Sequence, residues 1–287
     1  MADDYIMGTE IYTTQRGDFS TKGTQKILNV FFVVDISGSM RNEGRIQAVN
    51  EAFTQMVPAL RQVQLDCMSE FELRIAIMTF DQNARWIVAP TPVLEYTHEE
   101  IACSQWVTYF SEAFRTLGEK LTKNAYMAHT GKIAKPYIML LTDGEPTEED
   151  NYQPELDRLL ENGWFREALR FAVLIGKDTI NSPRARAAVA RFVVDPEEGI
   201  INAADAAAIA AEVQAKTIHT VVNMTRHNVT GDHSNENSGN SGVDVFDTSG
   251  NGGFNGSAGN DSGNGGFGNF GFGDFGDFGG FDDGSFI

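Results

Sequence analysis

The segment from Leu28 to Ile36 reads LNVFFVVDI. A run this continuously apolar, β-branched and aromatic suits a strand covered on both faces, as in a parallel sheet. Glu72 to Phe80 (ELRIAIMTF), Pro136 to Thr142 (PYIMLLT) and Arg170 to Ile175 have the same character. Shorter strands are expected at Arg85 to Val88 and around Phe192 to Val194. Between these segments the spacing of apolar residues changes to three or four. Arg45 to Gln62, for example, carries Ile46, Val49, Phe53, Met56, Val57 and Leu60 on one helical face. Further helices are expected over Thr108 to Leu121, Gln153 to Glu161, Ser182 to Ala190 and Ala203 to Val222. Strand and helix alternate, which predicts an α/β fold: a doubly wound, mostly parallel sheet flanked by helices. In such folds ligands bind beyond the carboxyl ends of the strands.

Composition divides the 287 residues unevenly. Of 29 glycines, 18 lie between 231 and 287, with nine of the 20 phenylalanines, and no Lys or Arg follows Arg226. Phe272, Phe275, Phe278 and Phe281 recur between Gly and Asp. So much glycine opposes both helix and isolated strand. The expected organisation is an N-terminal extension over 1–24, one domain over 25–224, and a disordered low-complexity tail over 225–287. The net charge of −18 argues against nonspecific binding to nucleic acid or to an anionic membrane. No apolar run is long enough to span a bilayer. The start, Met1-Ala2-Asp3-Asp4, lacks the basic and apolar regions of a secretory signal, so a cytoplasmic location is expected. Cys67 and Cys103 form no disulfide framework or zinc motif and read as reduced structural thiols.

Two strand ends carry oxygen-rich turns. The first continues as Asp35-Ile36-Ser37-Gly38-Ser39, the Pro136 to Thr142 strand as Thr142-Asp143-Gly144-Glu145. Between them in sequence, Thr108 stands at the expected start of a helix. Carboxylates and hydroxyls suit a hard cation such as Mg²⁺, and the same donors permit Mn²⁺ or Ca²⁺. Taken singly, each motif also fits a structural role: a turn with a capping Ser, a plain turn, an N-cap Thr. Their order along the chain is harder to explain as three independent turns.

The DxSxS sequence, the later Thr and the later Asp resemble the metal-ion-dependent adhesion site of von Willebrand factor type A domains. The resemblance covers residues 25 to 224 and implies a Rossmann-like fold with Asp35, Ser37, Ser39, Thr108 and Asp143 as the metal site. It implies that the serines bind the metal directly and the aspartates mostly through water. Thr108 would alternate between direct and indirect contact. A cation held by neutral hydroxyls keeps its charge and an open position, which a Glu or Asp of a partner protein can fill. AVNEAF (Ala48 to Phe53), Met78-Thr79-Phe80-Asp81 and LLTDGEPT (Leu140 to Thr147) are similar to the bacterial TerY/YegL branch. That branch is associated with tellurium resistance and stress response, in clusters with a serine/threonine kinase and a metal-dependent phosphatase. Where the branch has Gly-Gly before the Thr, this chain has Trp106-Val107. Glu145, beside Asp143, is a candidate to tune the site.

An enzyme is not expected. Ser37 replaces the second acid of the DxDx[TV] phosphatase motif, and neither GxxxxGK[ST] nor GxSxG occurs. His98, His129, His219, His227 and His233 lie away from the acidic strand ends and read as structural or surface groups. The expected function is a cytosolic, Mg²⁺-dependent protein-interaction module. Its alternative is a scaffold that self-associates through the Phe/Gly-rich tail.

Overall fold

The computed structural model describes residues 25–67, 70–128, 132–230 and 245–247. The N-terminal extension and nearly all of the low-complexity tail, with the disorder expected there, lie outside the described residues. The strands are β1 (Lys26–Asp35), β2 (Phe71–Phe80), β3 (Ala84–Pro92), β4 (Lys132–Ala134), β5 (Tyr137–Thr142), β6 (Leu169–Ile175), β7 (Ile200–Ala203) and β8 (Val245–Asp247). The helices are α1 (Arg45–Asp66), α2 (Phe110–Lys120), α3 (Gln153–Glu161), α4 (Gly163–Glu167), α5 (Lys177–Ile180), α6 (Pro183–Ala190), α7 (Pro196–Gly199) and α8 (Ala206–Thr230). A 3₁₀ segment (Gly38–Gly44) joins β1 to α1.

The sheet order is β3-β2-β1-β5-β6-β7, and all pairings along it are parallel except β2 with β3. β4 and β5 both pair with β1. They are one line of strand interrupted at Lys135-Pro136, where proline has no N–H to give the ladder. β8 pairs antiparallel with β4. Alternate β1 residues feed two cores. Leu28, Val30, Phe32 and Val34 pack with α1 and α8, and Ile27, Phe31 and Val33 with α2, α3 and α4. This two-sided burial explains why β1 reads as continuously apolar. Phe32 meets Phe53 of α1 edge-on at 4.8 Å.

Three local expectations change. Phe192 to Val194 is a turn, and the last parallel strand is β7 instead. Phe192 stacks on Phe114 and meets Phe165 edge-on, while Val194 is 60% exposed. Asp195 and Pro196 then open α7, with the Asp195 carboxylate accepting from Glu197 N at 2.8 Å. Phe192 and Val193 plug the core, so the segment has the composition of a strand without its pairing. The last helix continues past Met224 to Thr230, so the expected boundary at 225 falls inside it. Thr108 does not open α2. That helix starts at Phe110, and Asp150 caps it, accepting from Phe110 N at 2.6 Å and Ser111 N at 3.3 Å.

Candidate metal centre

Parallel pairing of β1 with β5 brings their carboxyl ends side by side, in register as far as Val34 with Leu141. The two acidic turns therefore meet. Asp35 is fully buried. Its Oδ1 accepts from Ser37 N at 2.8 Å, which curls the turn, and its Oδ2 accepts from Thr142 Oγ1 at 2.7 Å. The hydroxyls of Ser37 and Ser39 lie 3.2 Å apart, and Ser39 donates to Asp143 Oδ1 at 2.7 Å. The turn is held from outside as well. Gly38 N donates to Trp106 O at 3.0 Å, and Ser104 N to Ile36 O at 2.7 Å.

Thr108 arrives by another route. With Asp150 capping α2, Thr108 stays in the preceding loop, where its carbonyl accepts from Thr147 N at 3.1 Å and Thr147 Oγ1 at 3.0 Å. Its hydroxyl faces Gly144. A Cβ at Gly144 would lie 3.3 Å from Thr108 Oγ1 and 3.9 Å from Asp35 Oδ2. Glycine is what allows this close approach. All five expected residues thus lie at one edge of the sheet. Trp106 and Val107 stand exposed beside them.

Burial pushes the Asp35 carboxyl up to about 7, and the nearby Asp143 charge adds to this; the hydrogen bonds from Thr142 and Ser37 oppose it. Two buried carboxylates without a divalent cation repel each other, and a cation would relieve both. The donor set fits a hard divalent ion: two carboxylates and three hydroxyls, with no soft ligand. Among the described residues no group of three or more His, Cys, Asp or Glu is placed to hold a metal. Such a site must therefore rest on hydroxyls for most of its donors.

The sequence reading missed Arg45. Its Nη1 donates to Asp143 Oδ2 at 2.7 Å, so Asp143 is held through both oxygens. A local signal existed: Arg45 is the first residue of α1, where the helix dipole disfavours a cation and no acid shares the first turn. Such a conflict marks a residue placed by its tertiary surroundings. Glu145 turns away from the site, accepting from Ser182 Oγ and pairing with Arg184 Nε at 3.7 Å. His98 lies in a separate network with Asn50 and Tyr96, and His219 bonds to Asn223 on the surface of α8. His129 and His233 lie outside the described residues, as does the side chain of His227. Cys67 and Cys103 are free thiols.

Residues 30–145 match the family model of the von Willebrand factor type A domain. That match and the fold together support a von Willebrand factor type A domain in this chain. No curated protein matches the sequence. Among solved structures, the pilus adhesin SpaC from Lactobacillus rhamnosus GG is similar at 14% identity and TM-score 0.52, over 70% of this chain and 31% of SpaC. A von Willebrand factor type A protein from Catenulispora acidiphila is similar at 16% identity and TM-score 0.50, over 68% of this chain and 42% of its own. Proximal thread matrix protein 1 from the mussel byssus, in a structure with its adhesion-site motif occupied by zinc, is 14% identical with TM-score 0.48, over 69% of this chain and 46% of its own. The chain thus spans less than half of each of these proteins, and likenesses at this identity bear on the fold alone. The domain carries its five oxygen-bearing residues at the sheet edge where α/β folds of this kind bind ligands. Among the described residues no helix is long and apolar enough to cross a membrane.

Proposed function

We propose that the type A domain is a metal-dependent protein-docking module rather than an enzyme. Asp35, Ser37, Ser39, Thr108 and Asp143 would hold a divalent cation, with Mg²⁺ the expected occupant and Mn²⁺ or Ca²⁺ admitted by the same donors. The observation that carries this reading is their convergence from three chain segments onto one edge, with neutral hydroxyls outnumbering carboxylates. Bound there, the cation would supply a positive centre for a carboxylate from a partner protein. The protein's own groups fix the geometry. Ser37 N and Thr142 hold Asp35, Ser39 and Arg45 hold Asp143, and the paired Thr147 bonds hold the Thr108 loop. The similarity to the TerY/YegL branch supports a cytoplasmic setting in a bacterial stress response, including tellurium resistance. A serine/threonine kinase or a metal-dependent phosphatase would be the docked partner.

The test is titration of the full chain with Mg²⁺ and Mn²⁺ by calorimetry, alongside Ser39→Ala. Pull-downs with purified candidate kinase and phosphatase would run in Mg²⁺ or EDTA. Saturable binding lost in Ser39→Ala, with a partner retained only in Mg²⁺, supports docking. Identical titrations of wild type and variant overturn it. The Phe-Gly-Asp repeat of the tail favours a second reading, self-association. Removing residues 231–287 would then abolish assembly yet leave cation binding intact.

A further inference from the structure

Helix α1 is entered through two residues in the left-handed region, Glu43 (φ 53°) and Gly44 (φ 71°), so its first side chain is delivered to the carboxyl edge of the sheet. That side chain is Arg45. It is 11% exposed and the Asp143 side chain it bonds is 0% exposed. The guanidinium lies flat over Gly176, where a Cβ would come within 2.8 Å of Nη2 and 2.9 Å of Cζ. Gly176 has φ 89°, so both its backbone and its missing side chain make room for the arginine. The fit is incomplete, however. Arg45 Nε is buried without a partner, and its second ion-pair partner, Glu43, is exposed and reaches Nη2 only at 3.5 Å. Burying an arginine at a helix N-terminus is unfavourable in itself. Its bond to Asp143 is what balances that cost.

We propose that Arg45 is the resident counter-charge of the site, a positioning residue that serves the metal-free protein and competes with the metal. This rests on the metal-docking reading above. Without a divalent ion, one guanidinium offsets one of two buried carboxylates and keeps the edge folded. With a divalent ion, the same fixed charge repels it, because arginine does not deprotonate in proteins. The site is thereby set to a weak intrinsic hold on its cation. A carboxylate brought by a partner would be attracted by the ion and the arginine together.

The experiment uses the full chain and Mn²⁺ alone as probe, followed by calorimetry and by thermal unfolding with and without EDTA. Arg45→Gln should bind Mn²⁺ about tenfold more tightly than wild type, from the loss of one unit charge near the ion. Its Tm in EDTA should fall, and its Tm gain on adding Mn²⁺ should exceed that of wild type. Arg45→Lys keeps the charge but not the two-pronged fork, so its Mn²⁺ affinity should stay within about threefold of wild type. Gly176→Ala, which pushes the guanidinium aside from below, should tighten Mn²⁺ in the same direction as Arg45→Gln. That variant decides the matter if Arg45→Gln does not fold. If wild type binds Mn²⁺ in a Ser39-dependent way and neither variant binds more tightly, Arg45 is structural only and the inference falls while the docking site stands. If no form binds Mn²⁺, both fall. Binding by Arg45→Gln alone, abolished by adding Ser39→Ala, would support the inference in its strongest form.

Discussion

Two of the buried polar centres on helix α1, at Asn50 and at its first turn, are built in opposite ways. At Asn50 every group is matched. The side chain donates to Ile101 O at 2.9 Å and accepts from Ile101 N at 2.8 Å, and its Oδ1 also faces His98 Nε2 at 3.0 Å. Tyr96 OH lies 2.9 Å from His98 Nδ1, which fits a neutral ring with the proton on Nε2. Burial lowers the His98 pKa and so favours that neutral form. At the first turn of the same helix, Arg45, Asp35 and Asp143 leave an excess negative charge, an unpartnered Nε and a carboxyl pushed up to about 7. A satisfied network is a clamp, here tying the loop after β3 to α1. An unsatisfied one costs stability, and it persists at the strand ends where this fold class binds ligands.

The sharpest way to break this contrast is to damage the clamp. Asn50→Ala leaves Ile101 N, Ile101 O and His98 Nε2 without their Asn50 partner and should cost about 3 kcal/mol in urea unfolding. Mn²⁺ affinity of the folded protein should not change. If affinity drops as well, the two centres are coupled and the contrast fails.

Asp35→Asn should act in the opposite direction, raising metal-free stability at pH 8 by about 2 kcal/mol while removing cation binding. The folded Asp35 pKa lies above its unfolded value of 3.8, so the folded state holds the proton that the unfolded state has released. The Asp35 contribution to metal-free stability is therefore lost as pH rises from about 4 through about 7. Subtracting the Asp35→Asn stability curve from that of wild type in EDTA should isolate this slope. A flat difference would mean that Asp35 is not strained.

His98 gives the reverse pH dependence. Its folded pKa lies below the ordinary value, so its contribution is present at neutral pH and is lost as pH falls below about 6.5. His98→Gln should flatten that limb, measured as the wild-type minus variant difference in stability at pH 5.5 and 7.5. The smallest expected change is at Gly144→Ala. The new methyl presses on the Thr108 hydroxyl at 3.3 Å and should weaken Mn²⁺ by a few-fold, with a Tm loss of only a few degrees. An unchanged Mn²⁺ isotherm would remove Thr108 from the site.

Much of the fold was legible because the signals are local. The apolar runs of β1, β2, β5 and β6 and the helical spacing of α1 and α3 each record which faces are buried. Asp35, Ser37, Ser39 and Asp143 could be picked out because each falls at or just after the end of such a strand. Errors came where a distant residue decides a local outcome. Thr108 has the composition of a cap, but Asp150, 40 residues beyond Phe110, takes the N–H of Phe110. Phe192 to Val194 has the composition of a strand, but its aromatic ring is drawn into the stack with Phe114 and Phe165.

The sequence by itself thus determined the alternation of strands and helices and the two acidic turns, because periodicity and turn chemistry act over a few residues. Only the tertiary structure decided that β1 lies between β2 and β5, which brings Asp35 beside Asp143, turns the Thr108 hydroxyl toward Gly144, and lays Arg45 between Asp143 and Gly176. Strand order and the path of a side chain across a sheet edge depend on long-range packing, and hydrophobic periodicity records burial without recording the neighbour.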